Sequence, residues 1–330
     1  MRHGQKSVNW RASVLVILAF FALLGIGLSL ICGAVNITIS DVLHSLFGGQ
    51  STYHDIIWNI RLPRTIVAAL VGISLSLSGA LLQGVMRNSM ADPHIIGVSS
   101  GAGLFGIGIL ILFPAYAYLL TPVAFVGAIG AALLIYLMAW RGGVNPLRVI
   151  LAGVAVSALL NSGISALLTL YSDRVGGALI FMVGGLSARS WPHVYILLPY
   201  TLIGTLLAVI GSQRLNIMAL GEEQAKGLGL RVESHRLYFT VIATLLAAST
   251  VSVVGLLGFV GMIVPHSARL LIGSDYRWLL PACVLLSVGV LTISDTVARI
   301  IFAPMELPVG IVMGVLGAPF FLYLVRRRVL

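Results

Sequence analysis

Charged residues are scarce in this 330-residue chain, at 9% of the sequence against 59% for hydrophobic residues. A soluble domain typically carries about 25% charged residues. A chain of this length cannot enclose so many apolar side chains without covering its own surface with them. The low charge therefore excludes an ordinary soluble protein and indicates that lipid surrounds much of the molecule.

Lysine and cysteine are almost absent. Neither of the two lysines, Lys6 and Lys226, follows a glycine, as the lysine of a nucleotide-binding P-loop must. The two cysteines, Cys32 and Cys283, lie in separate apolar runs without the spacing of metal ligands. We also find no nucleophile elbow and no paired catalytic carboxylates. We therefore expect no ATP hydrolysis, no catalytic site, no metal site and no disulfide in this chain.

Ten apolar runs fill the chain instead. About 20 apolar residues are needed for an α-helix to span a bilayer. The first run exceeds the roughly 7–15 apolar residues of a signal peptide, so we interpret it as a retained helix. The sequence predicts an all-α polytopic membrane protein of about ten transmembrane helices, forming a single domain over residues 1–330. The runs cover residues 13–35, 65–85, 95–113, 122–140, 149–171, 194–210, 237–257, 261–272, 279–293 and 309–325.

The eighth and ninth runs are short, and we expect these helices to continue through polar residues such as His266 and Asp295. Both residues are placed near helix ends. A proton- or sodium-coupled transporter usually buries such groups near the membrane midplane. Their placement favours a transporter that draws energy from elsewhere over an ion-coupled secondary transporter. The lack of a convergent catalytic set argues against the third alternative, a membrane enzyme.

The distribution of lysine and arginine predicts the topology. The net charge of +10 lies in short loops and not in a basic stripe, so nucleic-acid binding is not expected. If the N-terminus is cytoplasmic, fifteen basic residues lie inside and five outside, as the positive-inside rule requires. Ten helices also return the C-terminus to the cytoplasm. The five outside are Arg61, Arg64, Arg174, Arg189 and Arg299.

The longest predicted cytoplasmic segment covers residues 211–236. Its middle, residues 220–230, has an acidic start and a glycine stop, which together predict a short helix. Glu222 and Lys226 form a favourable i,i+4 pair. From the residues alone, a docking element and a solvated linker are equally compatible with this pattern.

Nine motifs give the chain a specific resemblance. In order and spacing they resemble the FecCD family of bacterial ABC-transporter permeases, which import iron-siderophores, haem and vitamin B12. The resemblance covers residues from about 55 to the C-terminus. The motifs are RLPRT (61–65), SGALLQ (78–83), RNSMADP (87–93), GVSSGA (97–102), GEEQA (221–225), GFVGMIVPHSAR (258–269), DTVAR (295–299), ELPVG (306–310) and GAPFF (317–321).

The resemblance implies an architecture and a set of partners. It implies a channel made with a second permease subunit, by default identical and otherwise a paralogue. Two ATP-binding cassette subunits, which hold ATP and Mg, would dock inside, and a substrate-binding protein would dock outside. The chain itself would bind no cofactor and would lie in the cytoplasmic (inner) membrane. Iron-siderophore is the first expected substrate, followed by haem and then a corrinoid.

The resemblance also assigns three sets of residues. The ATPase-docking set falls on the short cytoplasmic helix. A gate falls on the loops after the second and fourth helices, where Ser89 replaces the usual proline and Met90 a frequent leucine. The docking set is Leu220, Gly221, Glu222, Glu223, Gln224, Ala225, Gly227 and Leu228; the gate set is Asn88, Met90, Pro146 and Leu147.

Arg61, Arg64 and Arg299 match the arginines that receive glutamates of the binding protein. The planar guanidinium suits this role because it holds a carboxylate with two hydrogen bonds. Local alternatives remain open: Arg299 is four residues from Asp295 and could pair with it, and the other two could bind lipid phosphates. His266 could be a haem ligand, although packing within a kinked helix is the alternative that we favour.

Overall fold

The computed structural model describes residues 7–33, 35, 37–48, 52–140 and 145–328. Ten principal helices, which we number in chain order, follow the ten predicted runs, and no β-strand occurs in these residues. The predicted all-α fold is confirmed. The helices are α1 (Val8–Ile31), α2 (Leu62–Val85), α3 (Val98–Leu112), α4 (Leu120–Ala139), α5 (Pro146–Leu170), α6 (Trp191–Ala219), α7 (Val232–Val254), α8 (Val260–Ile272), α9 (Tyr276–Ile300) and α10 (Val309–Arg328).

Seven of these helices are long and apolar enough to cross a membrane, and α3, α8 and α10 are shorter apolar helices. The predicted extension of the ninth run through Asp295 is confirmed, because α9 reaches Ile300. The placement of His266 near a helix end is wrong, since it lies at the middle of α8. Its ring packs edge-on against Phe320 of α10, with 6.0 Å between ring centroids.

Helix α2 forms the centre of the bundle and contacts α6, α7, α8 and α9. Its contact with α8 is a direct approach of two backbones. A Cβ atom built on Gly79 would lie within 1.8 Å of the Gly261 carbonyl oxygen, so no larger residue fits there without moving a helix. Small residues allow this proximity in lipid, where packing holds helices together.

Shorter elements join the long helices. Ile39–Leu46 is a helix after α1, and His54–Ile56 with a π-helical segment, Ile57–Arg61, leads into α2. Glu222–Gly227, which we call the connecting helix, lies between α6 and α7. Val175–Val183, which we call the half-helix, follows α5 and was not predicted as a separate element.

The half-helix is tied to the ends of two other helices by backbone hydrogen bonds. Gly185 N–H donates to Val254 O at 2.8 Å, and Leu256 N–H donates to Phe181 O at 3.0 Å. Gly310 N–H donates to Gly184 O at 3.1 Å. The half-helix therefore ends where α7 ends and α10 begins.

Candidate functional sites at the two ends of the bundle

The two ends of the bundle carry different predicted sites. We call the end that holds the connecting helix the loop end. The opposite end, where Arg64 opens α2 and Arg299 closes α9, is the arginine end. Helix α2 joins them, because the guanidinium of Arg87, just after α2, lies against Gly221 beside the connecting helix.

The connecting helix has defined caps at both ends. Gly221 precedes it with a φ of +124°, a conformation that favours glycine. At the other end Gly229 is left-handed, with a φ of +79°, and Leu230 N–H donates to Ala225 O at 3.0 Å. This is the hydrogen-bond pattern of a Schellman motif. The predicted short helix with an acidic start and a glycine stop is confirmed.

Glu222 and Ala225 fix the connecting helix to the bundle. Ala225 is fully buried, and the helix contacts α6 and α7. Glu222 accepts hydrogen bonds from Lys226 at 2.8 Å and from Arg236 of α7 at 3.2 Å. Hydrogen bonds from Lys226 and then Arg236 lower the pKa of Glu222 below its usual range. Glu222 is therefore a tether between the connecting helix and α7.

The remaining residues of the predicted docking set form an open face. Glu223, Gln224 and Gly227 are exposed. Leu220 and Leu228 are 54% and 64% exposed, which is unusual for leucine at a polar surface. An acidic and apolar face on a rigidly capped helix has the character of a protein-docking surface.

The predicted gate lies close to the same tether. A small apolar cavity of about 20 Å³ is lined by Met86 at the end of α2, Pro146 at the start of α5, Tyr136 of α4 and Arg236 of α7. Arg236 is buried and also bonds Glu233 at 2.5 Å. The side chain that holds the connecting helix thus also lines this cavity, which we call the gate cavity because Pro146, one of the four predicted gate residues, lies in its wall.

Asn88 organises the gate turn after α2. Its Oδ1 accepts from Met90 N–H at 3.0 Å, and its backbone O accepts from Ala91 N–H at 3.0 Å. Met90 is half-buried. The hydroxyl of Ser89, which stands where proline is usual, is buried without a hydrogen-bond partner among the described residues. Ser89 therefore makes no polar contact that would define the turn, and Asn88 supplies that geometry.

The second gate segment opens α5. Asn145 caps this helix, since its Oδ1 accepts from Leu147 N–H at 2.9 Å. Pro146 occupies the first turn, where a missing N–H does no harm. Leu147 is 62% exposed, so its side chain is available to a partner. Arg141, one of the fifteen basic residues expected inside, lies outside the described residues.

At the arginine end, Arg61 is buried and acts as a cap. Its Nη1 donates to Leu30 O at 2.7 Å and to Ile31 O at 2.6 Å, and its Nη2 donates to Val35 O. These carbonyls belong to the end of α1 and the segment after it. Backbone carbonyls at a helix end lack intrahelical partners, and a cation satisfies them well.

Arg64 and Arg299 share one buried carboxylate, Asp295. Arg64 holds it with two nitrogens, Nε at 3.0 Å and Nη2 at 2.9 Å, and Arg299 Nε lies 3.2 Å away. Arg64 Nη1 also donates to Glu306 at 2.8 Å, and Arg299 Nη2 donates to the Ser29 carbonyl at 3.0 Å. Asp295 is fully buried, and each arginine is 6% exposed. The local alternative that pairs Arg299 with Asp295 is confirmed as a contact.

Glu306 is the member of this cluster that reaches the surface. It was part of a motif but not of the predicted site. Burial is the largest influence on its pKa and raises it, but the hydrogen bonds from Arg64 and Ser187 and the charges of Arg64 and Arg299 together leave the pKa below the usual range. Ser187, near the half-helix, donates to the same carboxylate at 3.0 Å. No sequence signal pairs Glu306 with Arg64, because 242 residues separate them.

Together, ten principal apolar helices and a capped surface helix are the features of a polytopic membrane protein of the transport class. The chain belongs to the FecCD transport family, which matches it over residues 18–327.

Several characterised relatives cover nearly all of the chain. The Fe(3+)-citrate import system permease protein YfmD of Bacillus subtilis is 38% identical over 99% of this chain and 98% of its own. The hemin transport system permease protein HmuU of Yersinia pestis is 33% identical over 97% and 98%. A solved structure described as an inward-facing metal-chelate type ABC transporter has 28% identity and a TM-score of 0.83, over 96% of this chain and 99% of that one.

Proposed function

We propose that this chain is the permease subunit of an ATP-driven importer for a metal chelate. The observation that carries the proposal is the family match over residues 18–327, joined to a connecting helix that Glu222 ties to Arg236 in the wall of the gate cavity. Relatives named as permeases for iron citrate, hydroxamate, haem and cobalamin support a bulky chelate as cargo. ATP and Mg would be bound by a separate ATPase and not by this chain.

As such a permease, the chain would be a multi-pass protein of the cytoplasmic membrane. The loop end and both termini would face the cytoplasm. The fifteen-to-five distribution of basic residues supports this orientation. Two ATPase subunits would bind the open face formed by Leu220, Glu223, Gln224 and Leu228. A second copy of this chain would complete the channel, since α5 exposes most of its surface and needs a covering partner or lipid.

Arg236 gives the proposed coupling a physical route. Movement of the connecting helix would pull on Glu222, and the ion pair would transmit that pull to Arg236 and the cavity between Met86 and Pro146. The gate segments would then separate or close. Asp295 is paired with Arg64 and Arg299, so this buried carboxylate does not supply the free proton carrier of an ion-coupled transporter.

The arginine end would receive the substrate-binding protein. In the described conformation Arg61, Arg64 and Arg299 support that surface from within. For direct contact with carboxylates of a binding protein, these arginines would have to exchange their internal partners. Exposed Glu306 would be displaced first, because it is the least buried acceptor of Arg64.

Uptake in the native cell tests the proposal. Cells lacking the gene would be supplied in parallel with labelled ferric citrate, ferric hydroxamate, haem and cobalamin. We expect loss of one class, restored by the wild-type gene. Restoration should fail for Glu223→Lys, which reverses charge on the open face, and succeed for Asp173→Lys at the opposite end. Undiminished uptake of all four chelates in the deletion strain would contradict the proposal.

A further inference from the structure

A second cavity lies at the arginine end and belongs to none of the sites above. It has a volume of about 140 Å³ and is partly open. Apolar residues of α3, α4, α7 and the half-helix form most of its wall, and its polar lining includes Ser187 and Arg189. This volume has room for several water-sized groups.

Arg189 differs from the other arginines assigned to this end. Arg61 binds carbonyls, Arg64 and Arg299 bind Asp295, and Arg174 lies 3.5 Å from Asp173. The side chain of Arg189 has one hydrogen-bond contact in the described residues, between Nη1 and His193 Nε2 at 3.2 Å. Its Nε is buried without a hydrogen-bond partner. No carboxylate of the described chain forms an ion pair with it.

Arg189 lines an apolar cavity and forms no ion pair within the described residues, so an anion is a suitable ligand for this cavity. Arginine remains charged in proteins and carries five N–H donors, of which one is used here. Burial of Arg189 lowers its pKa. A buried charge is usually paired, because taking it out of water without a partner costs free energy.

We infer that the cavity beside Arg189 is a binding site for a carboxylate group of a small molecule. A planar carboxylate matches the guanidinium fork with two parallel hydrogen bonds. The apolar wall formed by residues such as Phe181 and Pro308 accommodates the carbon skeleton. The Ser187 hydroxyl donates a hydrogen bond to Glu306 and therefore contributes shape to the site, while Arg64 neutralises Glu306.

A recessed site favours a small ligand over a docked protein, because residues of four helices wall this partly open cavity and Arg189 is part of its lining. If the chain is the importer proposed above, the transported metal chelate should be one whose organic ligand carries free carboxylates. A neutral hydroxamate chelate would leave Arg189 without a partner. This preference is a property of the cavity and does not depend on ATPase docking.

Binding to the purified full-length chain in nanodiscs of zwitterionic lipid tests the site directly. The probes are citrate and ferric citrate, with a neutral ferric trihydroxamate as the contrast, measured by titration calorimetry. We expect saturable citrate binding that Arg189→Gln weakens at least tenfold. Arg189→Lys should be intermediate, because lysine keeps the charge and loses the fork. Arg174→Gln, which removes a more exposed arginine at the same end, should bind as the wild type does.

Chemical modification of the wild-type protein tests the site without relying on the folding of a variant. Phenylglyoxal modifies arginine, and peptide mapping would follow Arg189 and Arg174 separately. Citrate should protect Arg189 and leave Arg174 reactive. Equal reactivity with and without citrate, or unchanged binding in Arg189→Gln, would overturn the inference. Loss of citrate binding on adding phosphatidylglycerol would overturn it too, since a lipid headgroup would then be the natural ligand.

The binding experiment tests the Arg189 site and the uptake experiment tests the importer function, so either proposal can fail without the other. Citrate binding at Arg189 in a protein that imports none of the chelates would leave the site standing and refute the proposed function. Uptake of a chelate with no carboxylate, undiminished in Arg189→Gln, would leave the importer standing and refute the site.

Discussion

Replacing Asp295 by asparagine separates a structural from a docking role for the buried arginines. Asp295 is fully buried and neutralises Arg64 and Arg299, at 2.9 and 3.2 Å. Asparagine keeps the volume and removes the charge, which leaves two buried cations with one remaining carboxylate, Glu306. Breaking a buried ion pair by removing one partner typically costs about 3–5 kcal/mol.

Because Arg64 and Asp295 have side chains only 7% and 1% exposed, this figure needs no large correction for solvent screening. In a chain of 330 residues, this loss of free energy of unfolding corresponds to a fall in the midpoint temperature of unfolding of about 5 °C. Thermal unfolding of the purified protein in one detergent, followed by tryptophan fluorescence, would measure it. Glu306→Gln should cost much less, about 1 kcal/mol or below, because its side chain is 40% exposed.

Asp173→Asn is the matched control, because it removes a carboxylate from a surface pair whose side chains are 75% and 49% exposed. Its midpoint should stay within experimental error of the wild type. An unchanged midpoint in Asp295→Asn, together with lost stimulation of the partner ATPase by the loaded binding protein, would refute the reasoning. The arginines would then be reserved for an external carboxylate.

Three further predictions follow from the packing and the tether. Gly79→Ala should destabilise the bundle by about 1–3 kcal/mol, through its contact with the Gly261 carbonyl, whereas Gly130→Ala, with open space around it, should not lower the unfolding midpoint. Arg236→Gln should speed amide hydrogen exchange in residues 222–227 and lower transport without lowering chelate binding. The lowered pKa of Glu222 predicts that the tether to α7 is complete above the ordinary pKa of a glutamate and is lost as pH falls through the lowered pKa. Amide hydrogen exchange in residues 222–227, corrected for the intrinsic effect of pH, should therefore rise below about pH 4.5 in the wild type. In Glu222→Gln the corrected exchange should not change over this pH range.

The long helices could be predicted from the sequence, because a helix that crosses a bilayer needs a run of about 20 apolar residues. The sequence also predicted the connecting helix, because its caps are local: Gly221 and Gly229 act within a few residues of the helix they bound. The half-helix was missed because its nine residues are too short for a spanning signal and follow directly on α5. Helix ends shifted for a similar reason, since polar residues such as Asp295 continue a helix when a partner satisfies them.

The predicted sites depended on contacts that no local pattern contains. Arg64 and Asp295 are 231 residues apart, and a sequence gives no measure of whether an arginine at a helix start faces water or a buried carboxylate. The same limitation concealed Arg189. What distinguishes it is that no carboxylate in the described part of the chain pairs with it, and that property appears only when the surrounding elements are placed around it.

Helix α7 connects the two ends of the molecule physically. It carries Arg236 beside the gate cavity near its first turn and Val254 in the wall of the Arg189 cavity at its last residue. Its 23 residues span about 33 Å at 1.5 Å per residue. Because a packed helix moves as a rigid element, a tilt that displaces Arg236 also displaces Val254 and, through Gly185, the half-helix. Occupation of the Arg189 cavity and movement of the connecting helix are therefore expected to bias the same element, and Arg236→Gln should weaken the effect of citrate on hydrogen exchange at the loop end while leaving its affinity unchanged.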